Sequence, residues 1–286
     1  MTTLTVSGLH KTYTLRNGLR FTKLRAVQDV DLELSAGRTV ALVGQSGSGK
    51  STIAKILAQL ERPTSGAITL GGAPIGTRGR ALARYRDHVQ MVFQDPFASL
   101  NPFHSIGHHL ERPLLLHGKA TRTDVRTKVC ELLERVNLTP AESFIDRRPH
   151  ELSGGQRQRV AIARALAPEP SVLIADEPVS MLDVSVRLGV LNLLARLQRE
   201  ENLAMLYITH DLATARHFSD EILVMYRGEV VERGAADEVI LRPRAEFTRQ
   251  LLVAAPEPGS NPRFLAEAQR RGVPMPDHLA LAEDSP

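Results

Sequence analysis

The sequence predicts an α/β protein: a parallel sheet at the core, an antiparallel β layer at its start and a helical insertion in its middle. Three observations carry this expectation. Short apolar runs at 40–43, 89–93, 172–175 and 205–209 read as buried parallel strands, and helical patterns separate several of them. A glycine-rich loop stands between the first of these runs and a helical segment. Between about Asn101 and Ala167 the strand signal stops, and apolar residues recur at helical spacing instead.

The elements follow in order. Residues 3–7 and 27–34 alternate apolar and polar side chains, as half-exposed antiparallel strands do. A polar insertion, 14–23, separates them. In the helical insertion, 105–117 and 123–136 carry helix-spaced apolar residues, and Ser153 is a good N-cap for a helix over 153–167. After Tyr226 the dipeptide Arg227-Gly228 reads as a turn between two short strands, and 245–254 as a last helix. From Pro256 onward prolines recur with little apolar periodicity, so 255–286 reads as an irregular tail with a short helix near 264–271. The expected organisation is one domain over 3–254, with a helical subdomain at about 101–167 and the tail beyond it.

Composition narrows the function classes. A chain of 286 residues with 42% hydrophobic and 24% charged residues can bury a sizeable core. A net charge of +4 gives no concentrated basic face of the kind nucleic-acid binding uses, although a weakly basic patch facing anionic lipid stays open. Cys130 is the single cysteine, so internal disulfides and cysteine-rich metal sites are excluded, which fits a reducing compartment. The first residues lack the charged-then-apolar pattern of a signal peptide, and no apolar run reaches the length of a membrane span. Any work at a membrane is expected to go through partners.

The glycine loop runs Gly44-Gln45-Ser46-Gly47-Ser48-Gly49-Lys50-Ser51-Thr52, the pattern of a Walker A phosphate loop in its strand–loop–helix context. Its glycines let the backbone turn N–H groups onto phosphate oxygens, and the helix adds its positive dipole end. Lys50 is expected to reach the β/γ phosphates of ATP, and the Ser51 hydroxyl to ligate Mg²⁺. The buried run at 172–175 ends in Asp176 and Glu177. Asp176 suits the Mg²⁺ water shell opposite Ser51, and Glu177 falls where a carboxylate can polarise the attacking water.

Leu152-Ser153-Gly154-Gly155-Gln156 completes the set. With this run the sequence resembles the ATP-binding cassette (ABC) ATPases over about residues 3–240, with the motifs in matching order. The resemblance implies a P-loop NTPase fold with a RecA-like core, an antiparallel β subdomain and an inserted α-helical subdomain. It also implies ATP hydrolysis by two cassettes packed head to tail, each run of Ser153, Gly154, Gly155 and Gln156 closing on the nucleotide of the other. By the same resemblance Gln94 senses Mg²⁺ and water, and His210 contacts the γ-phosphate. Asp183 lies in the loop that crosses the dimer interface, where Met181 replaces a commonly small residue. Tyr13 stacks on adenine, with Phe21 as the nearby competitor.

The segment from Phe93 to Pro102, together with 176–186 and Pro149-His150-Glu151, resembles the importers of peptides and nickel. That implies a second ATPase subunit, two transmembrane permease subunits and, indirectly, an extracytoplasmic solute-binding protein, with the chain at the cytoplasmic face of the inner membrane. Phe97, Leu100 and Phe103 are either contacts for the permease's docking helix or packing of the helical subdomain. The run Ala245-Glu246-Phe247-Thr248-Arg249 departs from the histidine-proline-tyrosine start common in the subfamily, and Cys130 alone cannot build an iron–sulfur cluster. The competing reading is a soluble ABC ATPase of a non-transport complex, such as one that breaks down phosphonates. Repair and translation members are disfavoured, since the chain has no coiled-coil or zinc insertion and no second cassette.

Overall fold

A computed structural model of the chain describes residues 3–17 and 20–254. Strands β1 (Thr3–Asn17) and β2 (Arg20–Ser35) open the chain as an antiparallel ribbon. Next come β3 (Thr39–Gly44), α1 (Lys50–Leu57), β4 (Ser65–Leu70), β5 (Ala73–Pro74), α2 (Gly79–His88) and β6 (Val89–Val92). The helical part follows as α3 (Pro96–Ser99), α4 (Ile106–Leu116), α5 (Val125–Arg135), α6 (Glu142–Ile145) and α7 (Gly154–Leu166). The chain then returns to the sheet through β7 (Val172–Asp176), α8 (Val184–Glu200), β8 (Ala204–Thr209), α9 (Leu212–Phe218) and β9 (Glu221–Tyr226). It closes with β10 (Glu229–Ala235), α10 (Ala236–Leu241) and α11 (Glu246–Ala254).

Two sheets result. One has four antiparallel strands in the order β2-β1-β4-β5; the other has six in the order β10-β9-β3-β8-β7-β6. In the larger sheet β9, β3, β8, β7 and β6 are parallel, and only β10 runs against its neighbour. Every residue of β3 is buried, as a strand covered on both faces requires. Its period-2 alternation splits the two sides: Ala41 and Val43 join the core with α4, α5, α7 and α8, while Val40 and Leu42 join β1, β2 and α1. The Arg227-Gly228 turn has positive φ at both residues (49° and 90°), the conformation that two-residue hairpins favour.

Two differences from the sequence expectation have physical causes. The polar insertion at 14–23 is strand in its described residues, 14–17 and 20–23: Thr14 pairs with Lys23, Leu15 with Thr22 and Arg16 with Phe21, extending β1 and β2 into a ribbon. The ribbon is paired on one side only beyond His10, so no core face imposes an apolar alternation there. Strands β4 and β5 lie at an exposed sheet edge, where a period-2 signal is weak. Leu100 is 2% exposed and sits in the core beside Ile106 and Leu110, so it packs the helical part; Phe97 and Phe103 remain exposed. The irregular tail and its helix near 264–271 lie outside the described residues.

Candidate nucleotide site

β3 delivers the loop and α1 receives it. The loop turns through Gly47 and Gly49 at φ +79° and +110°, and a Cβ at Gly49 would lie 2.2 Å from the Ala26 carbonyl oxygen. Only glycine meets both demands at that point. Gln45 and Ser46 are exposed on the loop, and Thr52 is half-buried in the first turn of α1. Lys50 is buried, and its Nζ donates to the carbonyls of Gly44 (2.7 Å) and Gln45 (2.9 Å). Burial pushes its pKa below the usual lysine range, while the carboxylates of Glu177 and Asp176 hold it up. The Ser48 hydroxyl is buried without a hydrogen-bond partner. A buried ammonium served by two carbonyls and an orphan hydroxyl form a site that an anion completes.

Opposite stands the end of β7. Asp176 Oδ1 accepts from the Ser51 hydroxyl at 3.2 Å, and burial raises the Asp176 pKa against that bond's lowering effect. No cluster of three or more His, Cys, Asp or Glu able to hold a metal occurs among the described residues. Mg²⁺ does not need one, since it keeps waters and takes one or two carboxylates together with nucleotide phosphates. The hard oxygens of Ser51 and Asp176 fit that role.

Glu177 has φ 44°, a costly conformation for a residue with a side chain, and its N–H donates to Ile208 O at 2.9 Å. The Glu177 carboxylate is met from two other loops. Gln94 Nε2 donates to Oε2 at 3.0 Å, and His210 Nδ1 lies 3.4 Å from the same oxygen. Three residues far apart in sequence thus converge on one point, next to Asp176. Chemically, this is a carboxylate oriented by an amide and an imidazole beside a glycine loop that an anion would complete.

Ser153 caps α7. Its Oγ accepts from Gln156 N (3.3 Å) and Gln156 Oε1 accepts from Ser153 N (2.9 Å), a reciprocal capping box. The N–H groups of Gly154 and Gly155 stay without intrahelical acceptors, as helix geometry dictates. Gly155 is pressed against α8, where its ideal Cβ would lie 2.4 Å from Val186 Cγ1. Asp183 is exposed just before α8, and Met181 is exposed beside it.

Tyr13 is half-buried on the ribbon. Its hydroxyl donates to Glu61 Oε2 at 2.9 Å, and Lys11, paired with Glu61 at 2.8 Å, lies 4.8 Å from the ring centroid. Opposed residues share a face of an antiparallel pair. Tyr13 faces Leu24 and Phe21 faces Arg16, so Tyr13 and Phe21 lie on opposite faces of the ribbon. Lys11, Glu61, Val186 and Arg157 are supporting residues that the sequence reading missed. Arg157 donates twice to Leu152 O (3.0 and 2.8 Å) and lies 3.9 Å from the Phe97 ring centroid, tying the segment after Gln94 to the start of α7. Its place directly after Gln156 was the available signal.

Comparison with known proteins follows the same lines. The profile of the ABC transporter family matches residues 27–180. The di/tripeptide transport ATP-binding protein DppF of Pseudomonas aeruginosa is 45% identical over 258 residues, covering 89% of this chain and 79% of that protein. The dipeptide transport ATP-binding protein DppF of Haemophilus influenzae is 43% identical over 264 residues, covering 91% and 80%. Among solved structures, the dimeric post-hydrolysis state of the ATP-binding cassette MJ0796 bound to ADP and Pi matches with a TM-score of 0.71 and 32% identity, over 82% of this chain and 98% of that one. The likeness bears out the mixed α/β architecture, with its antiparallel layer and helical part, expected from the sequence.

Proposed function

The chain belongs to the ABC transporter family, and we propose on that premise that it energises an importer of di- and oligopeptides. It is an ATP-binding, ATP-hydrolysing subunit of a transporter complex. The observation that carries the cargo is the 45% identity, over most of both chains, to a di/tripeptide transport ATP-binding protein. Among the described residues no helix is long and apolar enough to cross a membrane, which fits a subunit acting through membrane partners.

In this reading Gly44, Gln45, Ser46, Gly47, Ser48, Gly49, Lys50 and Thr52 cradle the phosphates of ATP, with Tyr13 under the base. Ser51, Asp176 and Gln94 would hold Mg²⁺, which would supply charge neutralisation to the nucleotide phosphates. Glu177 orients the attacking water and takes its proton. Gln94 fixes the Glu177 carboxylate by the 3.0 Å bond, and His210, approaching the same oxygen, reports the γ-phosphate. Ser153, Gly154, Gly155 and Gln156 close on the nucleotide of a second cassette, with Asp183 at the joint. Free N–H groups at the start of α7 suit an anion. Two permease subunits and, through them, an extracytoplasmic solute-binding protein complete the importer, with this chain at the cytoplasmic face of the membrane.

The test is reconstitution with two permease subunits and a second cassette, followed by ATPase assays against a peptide panel. Peptide-stimulated hydrolysis in proteoliposomes is expected. Copurification with soluble enzymes only, or stimulation by another solute class in place of peptides, would overturn the proposal.

A further inference from the structure

The nucleotide chemistry uses one face of the β1–β2 ribbon, the face of Tyr13. On the ribbon Thr12 pairs with Arg25, Thr14 with Lys23 and Arg16 with Phe21, in unbroken register. Side chains alternate along each strand, so these six residues share the face opposite Tyr13. Phe21 is 68% exposed there, and Lys23 and Arg25 are exposed beside it. Neither the Lys23 nor the Arg25 side chain has a hydrogen-bond or ion-pair partner among the described residues.

Charge sets this stretch apart from the rest of the chain. The sequence has 36 Lys and Arg against 32 Asp and Glu. Four of those cations, Arg16, Arg20, Lys23 and Arg25, fall within residues 12–25, where there is no acid. The remainder of the chain is therefore balanced at 32 against 32, and the whole surplus sits here. Nearby, Lys11 is held by Glu61 at 2.8 Å, whereas no carboxylate reaches Lys23 or Arg25. Cations alone would serve to keep an exposed strand edge from pairing with another chain. Phe21 does not fit that use, since an exposed aromatic invites association. A nucleic acid asks for a longer basic stripe than three cations around one ring. Cations flanking an exposed aromatic match a surface that offers anions and an apolar layer together, which is the boundary of an anionic lipid leaflet.

We propose that this face of the ribbon rests on anionic lipid of the membrane, with Phe21 entering the boundary between headgroups and acyl chains and Arg16, Lys23 and Arg25 meeting the lipid phosphates. The inference rests on the transporter reading, which brings the chain to a membrane, and adds a direct lipid contact to those made through the permeases. Long Lys and Arg side chains keep their charged ends at the phosphates while their stems lie in the apolar boundary. Each cation close to an anionic leaflet contributes about fivefold in affinity. Such an attachment is reversible, and salt weakens it because the field is screened within about 10 Å at 0.1 M.

The experiment uses the full chain and vesicles of phosphatidylcholine with and without phosphatidylglycerol. Wild type should sediment with the anionic vesicles and not with the neutral ones, and added salt should release it. Lys23→Gln and Arg25→Gln are each expected to weaken binding about fivefold, and the pair about 25-fold, while Lys23→Arg keeps it. Phe21→Ser should weaken binding about tenfold. All these variants keep wild-type ATPase and Tm, because the side chains lie on the face away from Tyr13. The chain has no tryptophan, so Phe21→Trp places a single emission probe on the ribbon, and its spectrum should shift to the blue on anionic vesicles. Equal binding to neutral and anionic vesicles, glutamine variants that bind like wild type, an unshifted Phe21→Trp spectrum, or tighter binding to a DNA or RNA duplex than to the vesicles would overturn the inference. A wild-type chain that copurifies from detergent extracts with no membrane protein would instead overturn the transporter reading beneath it.

Discussion

Replacing Gly155 by alanine perturbs the contact that seats the start of α7 on α8. The added Cβ would lie 2.4 Å from Val186 Cγ1, whereas carbon atoms pack best at about 3.5–4.0 Å. Something must move by about 1 Å, and the β-branched Val186 side chain has one strongly preferred rotamer in a helix. The displacement therefore falls on the backbone of α7, which carries Ser153 and Gly154. Overpacking of this kind costs about 1–3 kcal/mol, and the better helix propensity of alanine returns up to about 1 kcal/mol. The net destabilisation is about 1–2 kcal/mol, or, for a chain of this length, a Tm lower by about 2–3 °C. Thermal unfolding of the isolated chain reads this directly, and ATPase activity reads the displaced α7. Val186→Ala relieves the clash, because the next contact, to Val186 Cβ, is an ordinary 3.7 Å. The double variant should recover about 1 kcal/mol relative to the sum of the singles. A Gly155→Ala protein with wild-type Tm and ATPase, or a double variant with purely additive effects, would refute the packing argument.

Two further predictions concern other parts of the molecule. Tyr13→Ala should weaken ATP binding by about 1–3 kcal/mol, the range of base–aromatic stacking, and Phe21→Ala should leave it unchanged; fluorescent-nucleotide titration separates the two, and the reverse order would reassign the base to the other ribbon face. Burial holds the His109 pKa below its unfolded value, so the unfolded chain binds the extra proton first and stability falls as pH drops below about 6.5. Above that pH the contribution is fully present. Tm measured from pH 7.5 to 5 should decline less steeply in His109→Gln than in wild type, and parallel curves would count against the assignment.

Much of this was readable in the residues. The glycine loop and the strand ending at Asp176 rest on local pattern, and local pattern is where sequence is most explicit. Ser153 as a cap was equally plain, since a cap and its Gln156 partner sit three residues apart. The convergence of Gln94, Glu177 and His210 was not readable from spacing. It depends on parallel strand order, which places the ends of β6, β7 and β8 side by side; the family resemblance supplied the roles without the geometry. The ribbon over 14–17 and 20–23 was hidden because a two-stranded projection answers to pairing alone and carries no buried face. Phe97, Leu100 and Phe103 looked alike in sequence, and only the path of the chain buries Leu100 and leaves the others exposed. Val186 against Gly155 is a contact between two helices, invisible to any reading along one segment.

The central claim is that Glu177, oriented by Gln94 and His210, is the base of an ATPase whose closing drives import. The most direct measurement is steady-state ATP hydrolysis by Glu177→Gln in the assembled complex, with nucleotide occupancy measured in parallel. The substitution keeps size and backbone and removes only the basic oxygen. Hydrolysis should fall by about 10²–10⁴-fold while ATP stays bound and the two cassettes stay closed on it. Undiminished hydrolysis in that variant would contradict the account.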